Sequence, residues 1–328
     1  MVHPLTPESL SSLSIREITG LLETADIDSL PSTTLIETLR TDPRAGVRAL
    51  AARFERQKER RDRQRERELS LTSMERELAG EGYAAIVGVD EAGRGPLAGP
   101  VVAAAVILPA DCDLTGVDDS KKLTPARREA LYERITTVAA SWGVGMAEHD
   151  EIDEVGILEA SMSAMRAAVK NLGVTPDIAL IDGNRSPGLI VRERLVVGGD
   201  GRCRNIAAAS IVAKVTRDRI MEEMDRRYNG YGFAGHKGYG TGVHVEAIRR
   251  LGPCDIHRLS FKIVPGVSPP GTCAEVLERR LANAPTRVSF ERAVTGIARM
   301  REFLRESEVE RLRDCFRSHR RKFGSVRT

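Results

Sequence analysis

The sequence predicts an α/β domain with helical segments at both ends, and three observations lead there. Val101–Leu108 is apolar throughout and bracketed by Pro100 and Pro109, the pattern of a strand buried on both faces. Tyr83–Asp90 is a second apolar run, and it stops at two adjacent carboxylates, Asp90 and Glu91. Later segments repeat apolar residues at helical spacing, as Leu158, Met162, Met165 and Val169 do. Strands that alternate with amphipathic helices belong to sheets covered by helices.

Residues 1–80 read as a helical, charged N-terminal extension. Ser14-Ile15-Arg16-Glu17 is a capping box ahead of an apolar face of Ile18, Leu21 and Leu22. Asp42-Pro43 reads as N-cap and first helical residue, and Val47, Leu50, Ala51 and Phe54 continue with helical periodicity. Acids and bases alternate from Arg53 to Glu68, which predicts a solvated helix, and Thr72-Ser73-Met74-Glu75 opens another. In residues 81–265, Tyr83–Asp90 and Val101–Leu108 form a hairpin. Thr124-Pro125 then opens a helix to about Val138, and Trp142–Glu148 is a third strand. Ile157–Leu172 is a helix, and Ile178–Ile181 is a buried strand ending at Asp182. Asn205 caps a long helix from Ile206 to about Tyr228. Pro265-Gly266 and Pro269-Pro270-Gly271 mark a break. Residues 266–328 then read as two amphipathic helices with an arginine-rich end.

Composition narrows the classes. A formal net charge of +3 is no global signature of a nucleic-acid partner, so the signal has to be local. Arg53–Arg67 and Arg311–Lys322 are the arginine-dense stretches. Five widely spaced cysteines without a C-x-x-C argue against a disulfide framework or a cysteine zinc site. Met1-Val2-His3-Pro4 lacks the pattern of a signal peptide, and no apolar run approaches the ~20 residues that span a bilayer. The expectation is a cytoplasmic protein with no membrane partner.

Four acids carry the chemistry. Asp90 and Glu91 end the first strand, Asp182 ends another, and Asp200 follows Gly198-Gly199 just before the long helix. If those strands are neighbours, their C-terminal ends aim the acids into one crevice. Clustered carboxylates repel unless cations neutralise them, and oxygen ligands select hard ions such as Mg²⁺ or Mn²⁺. Two such ions ~3.5–4 Å apart can clamp the attacking and leaving oxygens of a phosphodiester. Any one of these acids alone reads as a turn or cap; four beside glycine turns favour the ion site.

Around the acids lie groups suited to a nucleic acid. Gly93-Arg94-Gly95 is a tight turn without the G-K-[ST] of a Walker loop. Directly after the acids it can present backbone groups to a sugar, whose 2′-OH distinguishes RNA from DNA. In Asp118-Asp119-Ser120-Lys121-Lys122-Leu123 the serine and lysines suit a phosphate contact, or a helix cap with solvated lysines. Ser210 and Lys214 share a helix face. Lys214, set among Ile211, Val212, Ala213 and Val215, calls for an anion: Asp200, another of the acids, or a substrate phosphate. A snorkelling surface lysine is the alternative. Tyr239, in the glycine-rich loop His236–Thr241, can stack on a base or sugar, or serve structure alone. His236, His244 and His257 are too scattered for a metal set.

The same blocks, in the same order, resemble the ribonuclease HII family over about residues 83–264. Gly88–Leu108 is similar to its opening motif, Asp119–Leu123 to its second block and Ile181–Arg185 to its third. Ile206–Asp218, His236–Thr241 and His257–Phe261 resemble the remaining ones, and residues 40–82 more weakly resemble a helical N-terminal extension of some members. The resemblance implies a ribonuclease H-like fold: a central mixed sheet of about five strands flanked by helices. It also implies endonucleolytic cleavage of RNA in RNA–DNA hybrids and 5′ of single ribonucleotides in duplex DNA, in ribonucleotide removal, leaving 3′-OH and 5′-phosphate ends. Asp90 would bridge two Mg²⁺ or Mn²⁺ ions, Glu91 and Asp182 would hold one, and Asp200 the other. Gly93, Arg94 and Gly95 would read the 2′-OH, and Tyr239 would stack on the following deoxyribose. Lys122, Ser210 and Lys214 would contact phosphates. A monomer is expected.

Two positions depart from the family pattern. Gly240 stands where proline is frequent, and Gly199 where lysine is common. Another enzyme of the same fold class, an exonuclease or strand transferase, fits the Gly93–Gly95 and Tyr239 blocks less well. A binding protein without catalysis fits the four acids poorly, because acids beside a phosphate cost affinity unless metals compensate.

Overall fold

The computed structural model describes residues 12–24, 32–112, 114–117, 120 and 123–323, which fall into two compact units, 1–70 and 71–328. In the first unit, helices α1 (Ile15–Thr24), α2 (Ser32–Thr41) and α3 (Ala45–Leu71) enclose a small core of Ile18, Leu39, Val47, Ala51 and Phe54. The capping box forms: the Ser14 N–H donates to Glu17 Oε2 at 2.8 Å and the Glu17 N–H to Ser14 Oγ at 3.3 Å. The Leu21 and Leu22 side chains lie outside the described residues. Asp42 does not cap the next helix directly. Its carboxylate accepts the Arg44 N–H and guanidinium, and α3 begins at Ala45.

The second unit is built on a five-stranded sheet, β1 (Ile86–Ala92), β2 (Val101–Ile107), β3 (Ser141–Ala147), β4 (Ile178–Asp182) and β5 (Arg192–Val196). The strand order is β3-β2-β1-β4-β5. The β1–β2 and β2–β3 pairs are antiparallel, and the β1–β4 and β4–β5 pairs are parallel. β2 is buried on both faces because its side chains alternate between two cores. Val101, Ala103, Ala105 and Ile107 pack with helix α7 (Ile157–Lys170), whereas Ala104 and Val106 pack with α5 (Pro125–Val138) and α8 (Arg204–Arg227). The inward face of α7 is Ala160, Ala164, Met165 and Ala168; Leu158, expected there, is exposed.

The long helix starts at Arg204, with Cys203 as its N-cap, so Asn205 lies inside the first turn. The Asn205 amide donates to the Ile86 carbonyl at 2.7 Å, and its N–H donates to Glu75 Oε1 on α4 (Ser73–Gly80) at 3.0 Å. Gly88 permits this docking, since a Cβ there would lie 2.1 Å from the Asn205 carbonyl carbon.

The C-terminal segment forms three principal helices where two were expected: α12 (Thr272–Ala282), α13 (Arg287–Arg299) and α14 (Glu306–His319). Thr286 is the unforeseen break, closing a reciprocal cap with Ser289. Leu277, Leu281, Phe290 and Leu312 share one core with Leu97, Ile248 and Leu259. Two short helices, α6 (His149–Val155) and α11 (Ile263–Val267), and the pair α9 (Phe233–His236) and α10 (Gly242–Leu251) complete the unit. Among the described residues no helix is long and apolar enough to cross a membrane.

A buried ion pair joins these parts. Asp153 on α6 accepts the N–H groups of Leu259 and Ser260 at 3.0 and 2.9 Å, and Arg280 Nη1 of α12 at 2.9 Å. Removing one partner of a buried pair leaves the other charge unpaired, at a cost of about 3–5 kcal/mol. Asp153→Ala should therefore lower the unfolding free energy by about that amount in chemical denaturation. A loss below about 1 kcal/mol, the range of a surface pair, would contradict the assigned role.

Candidate active site

The pairing of β1 with β4 runs parallel with Val89 opposite Ile181, so the next residues along the two strands are Asp90 and Asp182. Asp90 is buried; its Oδ1 accepts the Glu91 N–H at 2.7 Å, and its carboxyl is bonded to the Ser210 hydroxyl. Burial, then the charges of Glu91 and Asp182, push the Asp90 carboxyl well above its ordinary range. Glu91 is also raised, mainly by burial, although Arg94 at 3.2 Å opposes the shift and Asp182 adds to it. Asp182 Oδ1 accepts the Gly199 N–H at 2.6 Å, which brings the neighbouring Asp200 to the same end of the sheet. Asp200 is buried on a single turn, Gly199–Gly201, that leads into α8.

Three of these acids therefore crowd one another. Among the described residues no three His, Cys, Asp or Glu side chains close around a point as a ready-made cage. Asp90 and Asp200 are buried, and Glu91 and Asp182 are half-buried. An all-oxygen, mutually repelling donor set fits hard divalent cations.

The proposed sugar-reading turn is anchored from behind. Gly93 has φ +97°, and a Cβ on it would fall 2.0 Å from Arg217 Nε, so only glycine fits. The Arg94 side chain and Gly95 are exposed. Gly95 faces the exposed Tyr239 ring, whose Cε1 is 3.7 Å from where a Cβ would stand. The Leu97 N–H donates to the Gly238 carbonyl at 2.8 Å and ties the two loops together. Gly240, in the place of the frequent proline, packs against Leu97.

Other expected contacts resolve differently. Lys122 lies outside the described residues, as do Asp118, Asp119 and Lys121. The Ser210 hydroxyl is buried and bonded to Ser120 Oγ at 2.8 Å as well as to Asp90, so in this arrangement it supports the acid. Lys214 pairs with Asp218 at 2.6 Å, one helical turn on, and not with any of the four acids. Burial lowers the Lys214 ammonium in spite of that pair. His236 and His244 stack on each other and meet Phe233 edge-on, and His257 lies tilted against the same ring. Burial pushes His244 down to about 4 and His257 to about 3, so both rings are neutral and share one hydrogen bond of 3.1 Å.

Sequence reasoning missed two buried arginines, Arg217 and Arg258. Arg217 had a readable signal: it follows Ser210 by seven residues and Lys214 by three, which puts it on their helix face. Arg258 had none beyond its neighbours.

A mixed five-stranded sheet with acids at the ends of its parallel strands defines a nuclease of ribonuclease H-like architecture. The ribonuclease HII family model matches residues 87–264, and that of the ribonuclease HII N-terminal domain matches residues 14–79. The ribonuclease HII of Geobacillus thermodenitrificans is 52% identical over 252 residues, 77% of this chain and 96% of its own length. That of Acetivibrio thermocellus is 44% identical over 252 residues, 77% of this chain and 98% of its own. The crystal structure of the ribonuclease H2 from Pyrococcus horikoshii OT3 superposes with a TM-score of 0.50 at 27% identity, covering 56% of this chain and 97% of that one. The chain belongs to the ribonuclease HII family, endoribonucleases of RNA–DNA hybrids.

The raised Asp90 gives a stability prediction. A carboxyl whose folded pKa lies above its unfolded value favours folding while it is protonated, and that contribution is lost as pH rises through the folded pKa. In chelator at pH 7, Asp90→Asn should therefore melt at a higher temperature than wild type. The gain should shrink as pH falls towards ~3.9, the unfolded aspartate value. A variant that melts lower at pH 7 would contradict the buried, crowded carboxylate.

Proposed function

We propose that the chain cleaves DNA duplexes 5′ of an embedded ribonucleotide, as well as the RNA of hybrids, with Asp90, Glu91, Asp182 and Asp200 as the ligands of two Mg²⁺ or Mn²⁺ ions. The observation that carries this reading is the β1–β4 register, which sets Asp90 beside Asp182, with Gly93–Gly95 following directly in the chain and Gly95 against Tyr239. The ions would supply Lewis-acid polarisation of the scissile phosphate and charge neutralisation among the acids.

The residues of the chain do the rest. Asp90, held by the Glu91 N–H and the Ser210 hydroxyl, would hold the ions together with Glu91 and Asp182. Asp200, on its turn before α8, would complete the set of ligands. Gly93, Arg94 and Gly95 present backbone to the ribose, where a donor–acceptor 2′-OH is recognised. Tyr239 stacks on the next sugar. Water attacks phosphorus in line, the bond from phosphorus to the upstream O3′ breaks, and the products carry a 3′-OH and a 5′-phosphate. Lys214 and Lys122 are proposed phosphate contacts. The arginine-dense part of α3 grips duplex backbone, and the protein acts as a cytoplasmic monomer in ribonucleotide removal.

The test is a labelled DNA duplex with one ribonucleotide. Cleavage should occur 5′ of the ribonucleotide with Mg²⁺ or Mn²⁺ and fall more than about 100-fold in Asp90→Asn. Tyr239→Ala should cost about 1–3 kcal/mol, roughly fivefold to 150-fold in kcat/KM. An uncut duplex, or a cut that survives Asp90→Asn, overturns the assignment. Truncation to residues 71–328 should weaken duplex binding and flatten its dependence on salt. An unchanged slope would give α3 another role.

A further inference from the structure

Two fully buried arginines lie behind the ribose-reading turn, and every side-chain hydrogen bond they make goes to a backbone carbonyl. Arg217 Nε donates to Pro100 O at 3.0 Å, Nη2 to Ala98 O at 3.2 Å and Nη1 to Lys237 O at 3.0 Å. Arg258 Nε donates to Gly99 O at 3.0 Å, Nη1 to Arg94 O at 2.9 Å and Nη2 to Gly93 O at 2.6 Å. The Arg258 N–H adds a bond to Leu97 O at 2.8 Å. Between them the two residues take six carbonyls of the segment 93–100 and, through Lys237, hold the loop that carries Tyr239.

The consequence follows from peptide geometry. A trans peptide is planar, with its C=O and N–H pointing opposite ways, and no cis bond occurs among the described residues. The Gly93 and Arg94 carbonyls point inward to the Arg258 fork. The N–H groups in those same two peptides, of Arg94 and Gly95, must then point outward. Among the described residues neither donates to a protein acceptor.

We propose that Arg258 and Arg217 are positioning residues that turn the Arg94 and Gly95 N–H groups towards the substrate and hold them at a fixed distance from Tyr239. This rests on the reading of Gly93–Gly95 as the ribose contact. The arginines touch no substrate; they set the orientation of two donors that would otherwise have to be ordered on binding. A guanidinium is needed because its planar fork reaches several carbonyls at once, which a lysine ammonium cannot do. The clamp is itself braced, since Arg280 donates to His257 O, and Asp153 accepts from Leu259 and Ser260, on either side of Arg258.

The experiment compares wild type with Arg258→Lys and, from the loop side, with Gly93→Ala, whose methyl would displace Arg217. Single-turnover cleavage of the one-ribonucleotide duplex is measured at saturating enzyme, with a Mn²⁺ titration and hydrogen exchange of the segment 93–100. Misplacement of a donor by an ångström can cost about 100-fold. Both variants should lose roughly tenfold to a hundredfold in rate with an unchanged Mn²⁺ midpoint. Exchange should accelerate in 93–100 and not in β2. Arg219→Lys, an exposed position on the same helix, should cleave like wild type. Wild-type rates in both variants overturn the proposal. So does a Mn²⁺ midpoint that moves with the rate, because the arginines would then support the acids or the fold at large. If wild type leaves the duplex uncut, the ribonucleotide reading falls instead, and unchanged exchange in 93–100 would then overturn the clamp by itself.

Discussion

The register of β1 against β4 sets Asp90, just past their last paired residues, beside Asp182 at the end of β4. Much else in the second unit serves that juxtaposition. β2, apolar on both faces, fixes β1 from the other side. α8 packs across β1 and β2, and its Ser210 supplies a hydrogen bond that partly offsets the burial of Asp90. The turn before α8 sends the Gly199 N–H to Asp182 and brings in Asp200. The sheet and its helices thus hold like charges together at a cost that divalent cations would relieve.

A second constraint separates chemistry from recognition. Asp90, Glu91 and Asp182 sit on strands, in regular structure held by ladder hydrogen bonds, and Asp200 on a turn tied to Asp182. Gly93–Gly95 and Tyr239, the proposed recognition groups, sit on loops, where no ladder fixes the backbone. Buried arginines take over that role, bonding carbonyl after carbonyl of 93–100. Burial presses both guanidinium groups downward, Arg217 to about 10 and Arg258 to about 9, yet both remain charged at neutral pH. Charge-assisted bonds are stronger than neutral ones, which suits a turn that must stay ordered without secondary structure.

Most of this frame was legible in the sequence because it depends on apolar patterning. β2, the ends of β1 and β4, and the long α8 follow from runs and periods of hydrophobic residues. β5 was not legible: Arg192-Glu193-Arg194 lacks an apolar face, as the edge strand of a sheet can. Asn205 was misread because an asparagine ahead of a helix looks like a cap, whereas here Glu75, distant in sequence, bonds the first turn. Lys214 asked for an anion, and the nearest answer was its own helix neighbour Asp218. The arginine clamp was invisible because a buried arginine and a solvated one look alike in sequence; only the fold shows which carbonyls it meets.

If the four acids form one cation site, anomalous diffraction from crystals soaked in Mn²⁺ should show a peak where β1 and β4 bring Asp90 and Asp182 together, about 2.0–2.5 Å from their carboxylate oxygens. A strong peak elsewhere, with none between these two carboxylates at saturating Mn²⁺, would contradict that site.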